Sequence, residues 1–183
     1  MTCMIQRTSF RHMECPIARS LEEVGEWWSI LILRDAFHGL RRFEEFQSSL
    51  GVATNTLTRR LADLVEHGLL ERRRYCAHPP RDEYVLTEKG RDFHPVLLAL
   101  LAWGNRHLAD AVGPAVLATD SATGAVIEPM MVDRTTLKPL TPRGIRLVEG
   151  PGAGPEIRAR IARSDAARAA RAQHMATASK GST

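Results

Sequence analysis

Apolar residues recur at three- and four-residue spacing through most of the first 112 positions, and the pattern changes period in one place. Cys15, Ile17, Leu21 and Val24 predict a first helix, with Pro16 in its opening turn and Gly25 at its end. Trp27 to Phe37 is a second, strongly apolar helix. Its Trp28, Ile30, Leu31, Ile32 and Leu33 supply a core, and Gly39 closes it. In RRFEEFQSSLG, Phe43, Phe46 and Leu50 share one face before Gly51 stops the helix. In TNTLTRRLADLVEHG, Thr54 or Asn55 is placed to cap the start, Leu57, Leu61, Leu64 and Val65 form the stripe, and Gly68 ends it. LLERRRY and DEYVLT then read as β-prone runs flanking Cys76 to Arg81, where Pro79-Pro80 excludes continuous helix, so a β-hairpin follows. Two short helices followed by a two-stranded ribbon, all within Arg41 to Leu86, make a winged helix-turn-helix.

Beyond the hairpin, Thr87 and Glu88 open the longest predicted helix, running to about Val112 with Phe93, Val96, Leu97, Leu100, Leu101, Gly104 and Leu108 on a broad face. Pro95 predicts a kink or a break near Phe93 and His94. A stripe of this length exceeds what its own winged helix can cover, and the economical reading is a dimer interface shared with the N-terminal segment. After Gly113-Pro114, short β-prone pieces punctuated by Gly and Pro predict a small ribbon from about Thr119 to Val148. GPGAGP reads as a linker. Glu156 to about His174, rich in Ala and Arg but anchored only by Ile157 and Ile161, predicts a loosely held helix with a disordered MATASKGST end. The expected organisation is an N-terminal arm over residues 1–13, a DNA-binding and dimerisation domain over 14–112, a β-ribbon appendage over 113–150, and a linker and tail over 151–183. The fold class is mainly α with small β (α+β).

The chain carries 25 Lys and Arg against 21 Asp and Glu, a formal charge of +4. Residues 1–112 are neutral, with 15 of each sign, and the surplus lies in the tail. DNA binding by the core therefore rests on local segregation of charge. The polar face of the second HTH helix carries Asn55, Thr56, Thr58, Arg59 and Arg60, residue types that read base edges in the major groove. Thr54 at its start and Arg42 before the preceding helix join this set. Arg72, Arg73, Arg74, His78 and Arg81 crowd the hairpin, where they are placed to neutralise phosphates. The bland alternative is a solvated basic face.

Catalysis finds no support: no nucleophile elbow, Walker loop, dinucleotide fingerprint or paired carboxylates occur, and seven scattered histidines lack ligand spacing. No cofactor or metal is expected. Cys3, Cys15 and Cys76 are too few and too irregular for a disulfide framework or a zinc site. No run of eighteen apolar residues or signal-peptide core is present, which predicts a cytoplasmic protein with no membrane partner.

Residues 14–109 resemble the HxlR-type winged-helix transcriptional regulators, relatives of the MarR group. The resemblance is carried in order by Cys15-Pro16-Ile17-Ala18, Trp28, LILRD (Leu31 to Asp35), Gly39 with Arg41-Arg42-Phe43, LTRRL (Leu57 to Leu61), HGLLERR (His67 to Arg73), Pro79-Pro80, EYVLTEKG (Glu83 to Gly90) and Trp103. One departure stands out: where the family has a lysine before a tryptophan, this chain reads Glu26-Trp27-Trp28. The resemblance implies a homodimer, and a two-fold dimer presents recognition helices about 34 Å apart to a palindromic double-stranded operator. It also implies that Cys15 can act as a redox or electrophile sensor, to which a helix N-terminus contributes by favouring thiolate. Packing of a small residue is the competing role. Some relatives carry a cysteine-rich, zinc-ribbon-like tail; the layout here is similar with every cysteine absent.

The expected function is a homodimeric bacterial transcriptional regulator, a repressor released by thiol modification at Cys15 or by a small aromatic or electrophilic effector near Trp27, Trp28, Phe93 and Trp103. Trp27 points away from Trp28, toward a dimer contact, a pocket wall or ordinary packing. The alternative is a small-molecule-binding or protein-interaction module that does not read DNA sequence.

Overall fold

The computed structural model describes residues 9–142 and 144–180. Most of the predicted arm and the last three residues of the tail lie outside them. The elements are α1 (Pro16–Val24), α2 (Trp27–Phe37), α3 (Phe43–Leu50), α4 (Thr54–Glu66), β1 (Leu70–Cys76), β2 (Arg81–Leu86), α5 (Glu88–Arg91), α6 (His94–His107), β3 (Ala118–Thr119), β4 (Val126–Ile127) and α7 (Pro155–Lys180). They form two compact units, one from Glu23 to Pro139 and one joining the residues up to Glu22 with those from Leu140 onward.

The first unit is the winged helix. Ile32 and Leu33 of α2, Phe46 of α3, Leu57, Leu61 and Leu64 of α4, and Leu69 and Leu70 leading into β1 are buried in one cluster. Each large aliphatic side chain so buried contributes about 1.5–3 kcal/mol. Gly51 closes α3 in the left-handed conformation, φ +59°, where a side chain is strained. The Glu45 carboxylate accepts the N–H groups of Arg41 and Arg42 at 2.8 and 2.9 Å, covering two otherwise unpaired donors at the start of α3. The N-terminus of α4 differs from expectation. Its cap position is Ala53, with no side-chain hydrogen bond. Thr54 is the first helical residue, and its hydroxyl accepts a hydrogen bond from Gln47 Nε2 of α3 at 2.9 Å.

β1 and β2 pair antiparallel, with Leu70 opposite Leu86 and Arg74 opposite Asp82 and an irregularity between Arg74 and Cys76. The Tyr84 N–H donates to the Arg41 carbonyl at 2.8 Å, fastening the wing to the α2–α3 connection. Thr87 locks the base of the hairpin: its hydroxyl donates to the Gly68 carbonyl at 2.6 Å and accepts the Gly90 N–H at 3.0 Å. Gly90 is buried against the Leu69 carbonyl so closely that a Cβ there would overlap it.

The helix predicted from Thr87 to Val112 is broken where Pro95 requires it. α5 stops at Arg91 and α6 restarts at His94 with Pro95 in its first turn. α6 ends at His107, short of Val112, because Asp110 takes over the local donors: its carboxylate accepts the Val112 N–H at 2.9 Å. The following ribbon is also shorter than predicted. β3 and β4 are two residues each, followed by a single bridge between Val132 and Pro139 and no strand from there to Val148 among the described residues. Two Asp-x-x-Thr turns close these short pairings, with Asp120 accepting from Ala122 and Thr123 and Asp133 from Thr135 and Thr136.

In the second unit, the Phe10 N–H donates to Glu22 at 2.8 Å, and the Glu14 carboxylate accepts the Ile157 N–H at the start of α7 at 3.0 Å. Gly154 leaves room for that carboxylate, which occupies the place a Cβ would take. α7 runs to Lys180, past the predicted end at His174, as its Ala-rich composition favours.

Candidate nucleic-acid interface

α4 presents two faces. Leu57, Leu61 and Leu64 are buried, while Thr54, Asn55, Thr58 and Arg59 are exposed together and Thr56 is half-buried at their edge. The exposed set lies in the N-terminal half, the part of a recognition helix that reaches base edges. No described carboxylate pairs with Arg59, so its five donors are available.

Arg60 is a correction. It is 6% exposed and points into the core side. Its Nη2 meets Glu26 Oε2 at 2.9 Å and its Nη1 meets Asp63 Oδ2 at 2.9 Å. A guanidinium so held cannot read a base. The same contact gives Glu26 a cationic partner. Glu26 sits just before α2, so the ion pair ties the start of that helix to the middle of α4.

The wing charges are largely matched within the hairpin. Arg72 and Arg74 both pair with Asp82, at 2.5 and 3.1 Å, and Arg73 pairs with Glu71 at 2.9 Å. The guanidiniums of Arg74 and Arg72 hold the Asp82 carboxyl below its usual range. All three arginines remain exposed. His78 and Arg81, at the exposed tip, have no ion pair among the described residues. Arg42 is exposed and lies over the Tyr75 ring with its guanidinium carbon 4.8 Å from the centroid, a cation–π contact that aims it along β1. Sequence reasoning missed Gln47, Glu26 and Asp63, of which only Asp63, three residues after Arg60, carried a signal in its spacing.

Cys15 is half-buried immediately before α1. The Ala18 N–H lowers its thiol pKa most, with further help from the Ile17 N–H and the Arg160 guanidinium against the opposing effect of burial. The four aromatic effector candidates do not converge. Trp27 is 75% exposed, Trp28 and Phe93 pack against the core, and Trp103 is exposed with its ring 5.5 Å from His107. A cavity of about 550 Å³ lies instead between α2 and α6, and none of the four lines it. No group of three or more potential metal ligands occurs among the described residues. None of the described helices is long and apolar enough to cross a membrane.

A family model described as HxlR-like helix-turn-helix matches residues 23–111. An uncharacterized HTH-type transcriptional regulator of Mycobacterium bovis is 39% identical over 136 residues, 74% of this chain and 86% of that protein. Another from Synechocystis is 44% identical over 92 residues, 50% of this chain and 68% of that one. Among solved structures, PA1607, a candidate transcription factor, superposes with a TM-score of 0.71 at 37% identity, covering 78% of this chain and all of its own. A second candidate transcription factor, PA1374 from Pseudomonas aeruginosa, does so with a TM-score of 0.59 at 50% identity, covering 80% and 99%. These relatives are transcriptional regulators and not enzymes, and the two solved structures superpose on most of this chain. The chain belongs to the HxlR-like helix-turn-helix family of transcriptional regulators.

Proposed function

We propose that this regulator is a homodimeric repressor that reads a palindromic operator with α4 and steadies itself through the wing. The observation that carries this reading is the exposed Asn55, Thr58 and Arg59 face on a helix whose other side is fixed in the core. Asn55 and Arg59 offer the paired donors and acceptors that distinguish adenine and guanine. Arg42, Arg81 and His78 supply phosphate contacts, joined by Arg72, Arg73 and Arg74 where phosphates compete with Asp82 and Glu71. The dimer reading is supported by Val96, Leu100 and Trp103, which leave an apolar stripe on α6 exposed. Release from DNA has two supports: the lowered thiol of Cys15, for modification, and the α2–α6 cavity, for an effector.

The test is a competition titration on the gene's own upstream DNA against unrelated duplex. Arg59→Gln is expected to lose about tenfold or more in operator affinity and to relax discrimination at one base pair per half-site. Equal affinity of the native protein for both duplexes would favour an interaction module that has kept the winged helix without reading sequence.

A further inference from the structure

The α2–α6 cavity has chemically distinct ends. Ile30 and Leu31 of α2 face Leu98 and Leu101 of α6 along its walls, whereas Arg34, His38 and His94 mark one end. That end lies where the last turn of α2 meets the first turn of α6, and the His94 ring packs on Phe37 with centroids 4.6 Å apart. No Asp or Glu is among the lining residues. Arg34 uses Nε and Nη2 on Asp35 Oδ1, both at 2.8 Å, and its Nη1 has no described partner. The volume falls in the range of small-molecule sites, about 300–1,000 Å³.

We infer that this cavity binds a small aromatic carboxylate, its charged end at Arg34, His38 and His94 and its ring between Ile30, Leu31 and Leu101. Arg34 Nη1 and the two exposed imidazoles offer N–H donors at that end, and no lining acid supplies a negative charge, so an anionic group is favoured there over a cation. The inference rests on the regulator reading and names the effector class. α2 belongs to the core that carries α4, while α6 bears the exposed Val96, Leu100 and Trp103, of which Leu100 also lines the cavity. A ligand wedged between the two helices therefore sets the angle between the DNA-reading core and the proposed dimer stripe, and its occupancy changes operator affinity.

Calorimetric titration of the full chain with 1-naphthoate and with its neutral isostere 1-naphthamide tests the assignment. One naphthoate per chain is expected, with naphthamide about tenfold weaker. His38→Gln and His94→Gln should each weaken naphthoate severalfold and leave naphthamide unchanged. Ile30→Trp, with unaltered thermal unfolding, should abolish both. Arg34 also partners the buried Asp35, so it is removed as the Arg34→Gln, Asp35→Asn pair. Absence of naphthoate binding, or equal affinity for acid and amide, overturns the site. Operator affinity unchanged by saturating naphthoate overturns the coupling. Parallel titration of ligand-free protein with operator separates the two readings: naphthoate binding without operator preference sinks the regulator reading and leaves the site standing, and the reverse result sinks the site alone.

Discussion

Removing the Arg60 guanidinium while keeping its aliphatic bulk, as in Arg60→Met, strips two carboxylates of their shared partner. Breaking a buried ion pair from one side costs about 3–5 kcal/mol, because the remaining charge is stranded. Glu26 and Asp63 each keep 32% of their side-chain surface in water, so they rehydrate in part, and the cost falls to about 2–3 kcal/mol. Glu26→Gln leaves Asp63 in place and should cost about 1 kcal/mol. The triple variant Glu26→Gln, Arg60→Met, Asp63→Asn removes every charge at once and should recover most of the loss. Urea unfolding gives these differences directly. In DNA titrations Arg60→Met should bind operator and unrelated duplex more weakly by similar factors, because α4 loses its tether to the start of α2 while its reading face is untouched. Stability unchanged within about 0.5 kcal/mol, together with relaxed discrimination of about 1–3 kcal/mol at a single base pair, would refute this account and return Arg60 to the groove.

Four further outcomes follow from the same geometry. Gly90→Ala forces a methyl into the Leu69 carbonyl and should destabilise by about 1–3 kcal/mol, read as a lower thermal midpoint. Arg81→Gln should weaken all DNA sequences alike and reduce the salt slope of binding by about one, whereas an unchanged slope removes Arg81 from the phosphate contacts. The N–H groups of Arg41 and Arg42 hold the Glu45 carboxyl below its ordinary range. Its stabilisation is therefore complete above the unfolded value, about pH 4.3, and fades as pH falls toward the depressed native one. The stability gap between native protein and Glu45→Gln should accordingly be flat at neutral pH and shrink in acid. Finally, the rate of Cys15 alkylation should rise at lower pH than for an ordinary thiol. Arg160→Gln should move that rise part of the way back, since the Ala18 and Ile17 N–H groups remain.

The helices and the wing were readable because their apolar residues repeat at the period of the element they form, and Pro95 and Gly51 mark a break and a stop that the backbone obeys. Arg60 shows where that reading failed. It lies three residues after Leu57 and four before Leu64, on the buried stripe by spacing alone, and its charge drew it to the wrong face. The ion pairs of the wing arginines were hidden for another reason: composition counts charges, but register decides that Arg74 stands opposite Asp82. The cavity was out of reach because α2 is apolar on nearly every side. Spacing cannot show whether two apolar helices close against each other or leave a gap between their walls.

The bond from Glu14 to the Ile157 N–H closes a loop of 143 residues, and it has a consequence for how the protein comes into being. The Glu23 to Pro139 unit is contiguous in sequence, so everything it needs has left the ribosome while the last segment is still being made. The other unit is split between the two ends of the chain, and its first portion must wait for its second. Synthesis thus passes through a stage in which the DNA-reading core is complete while Glu14, beside Cys15, has no α7 to cap. A message truncated before Gly154 would leave the chain permanently at that stage.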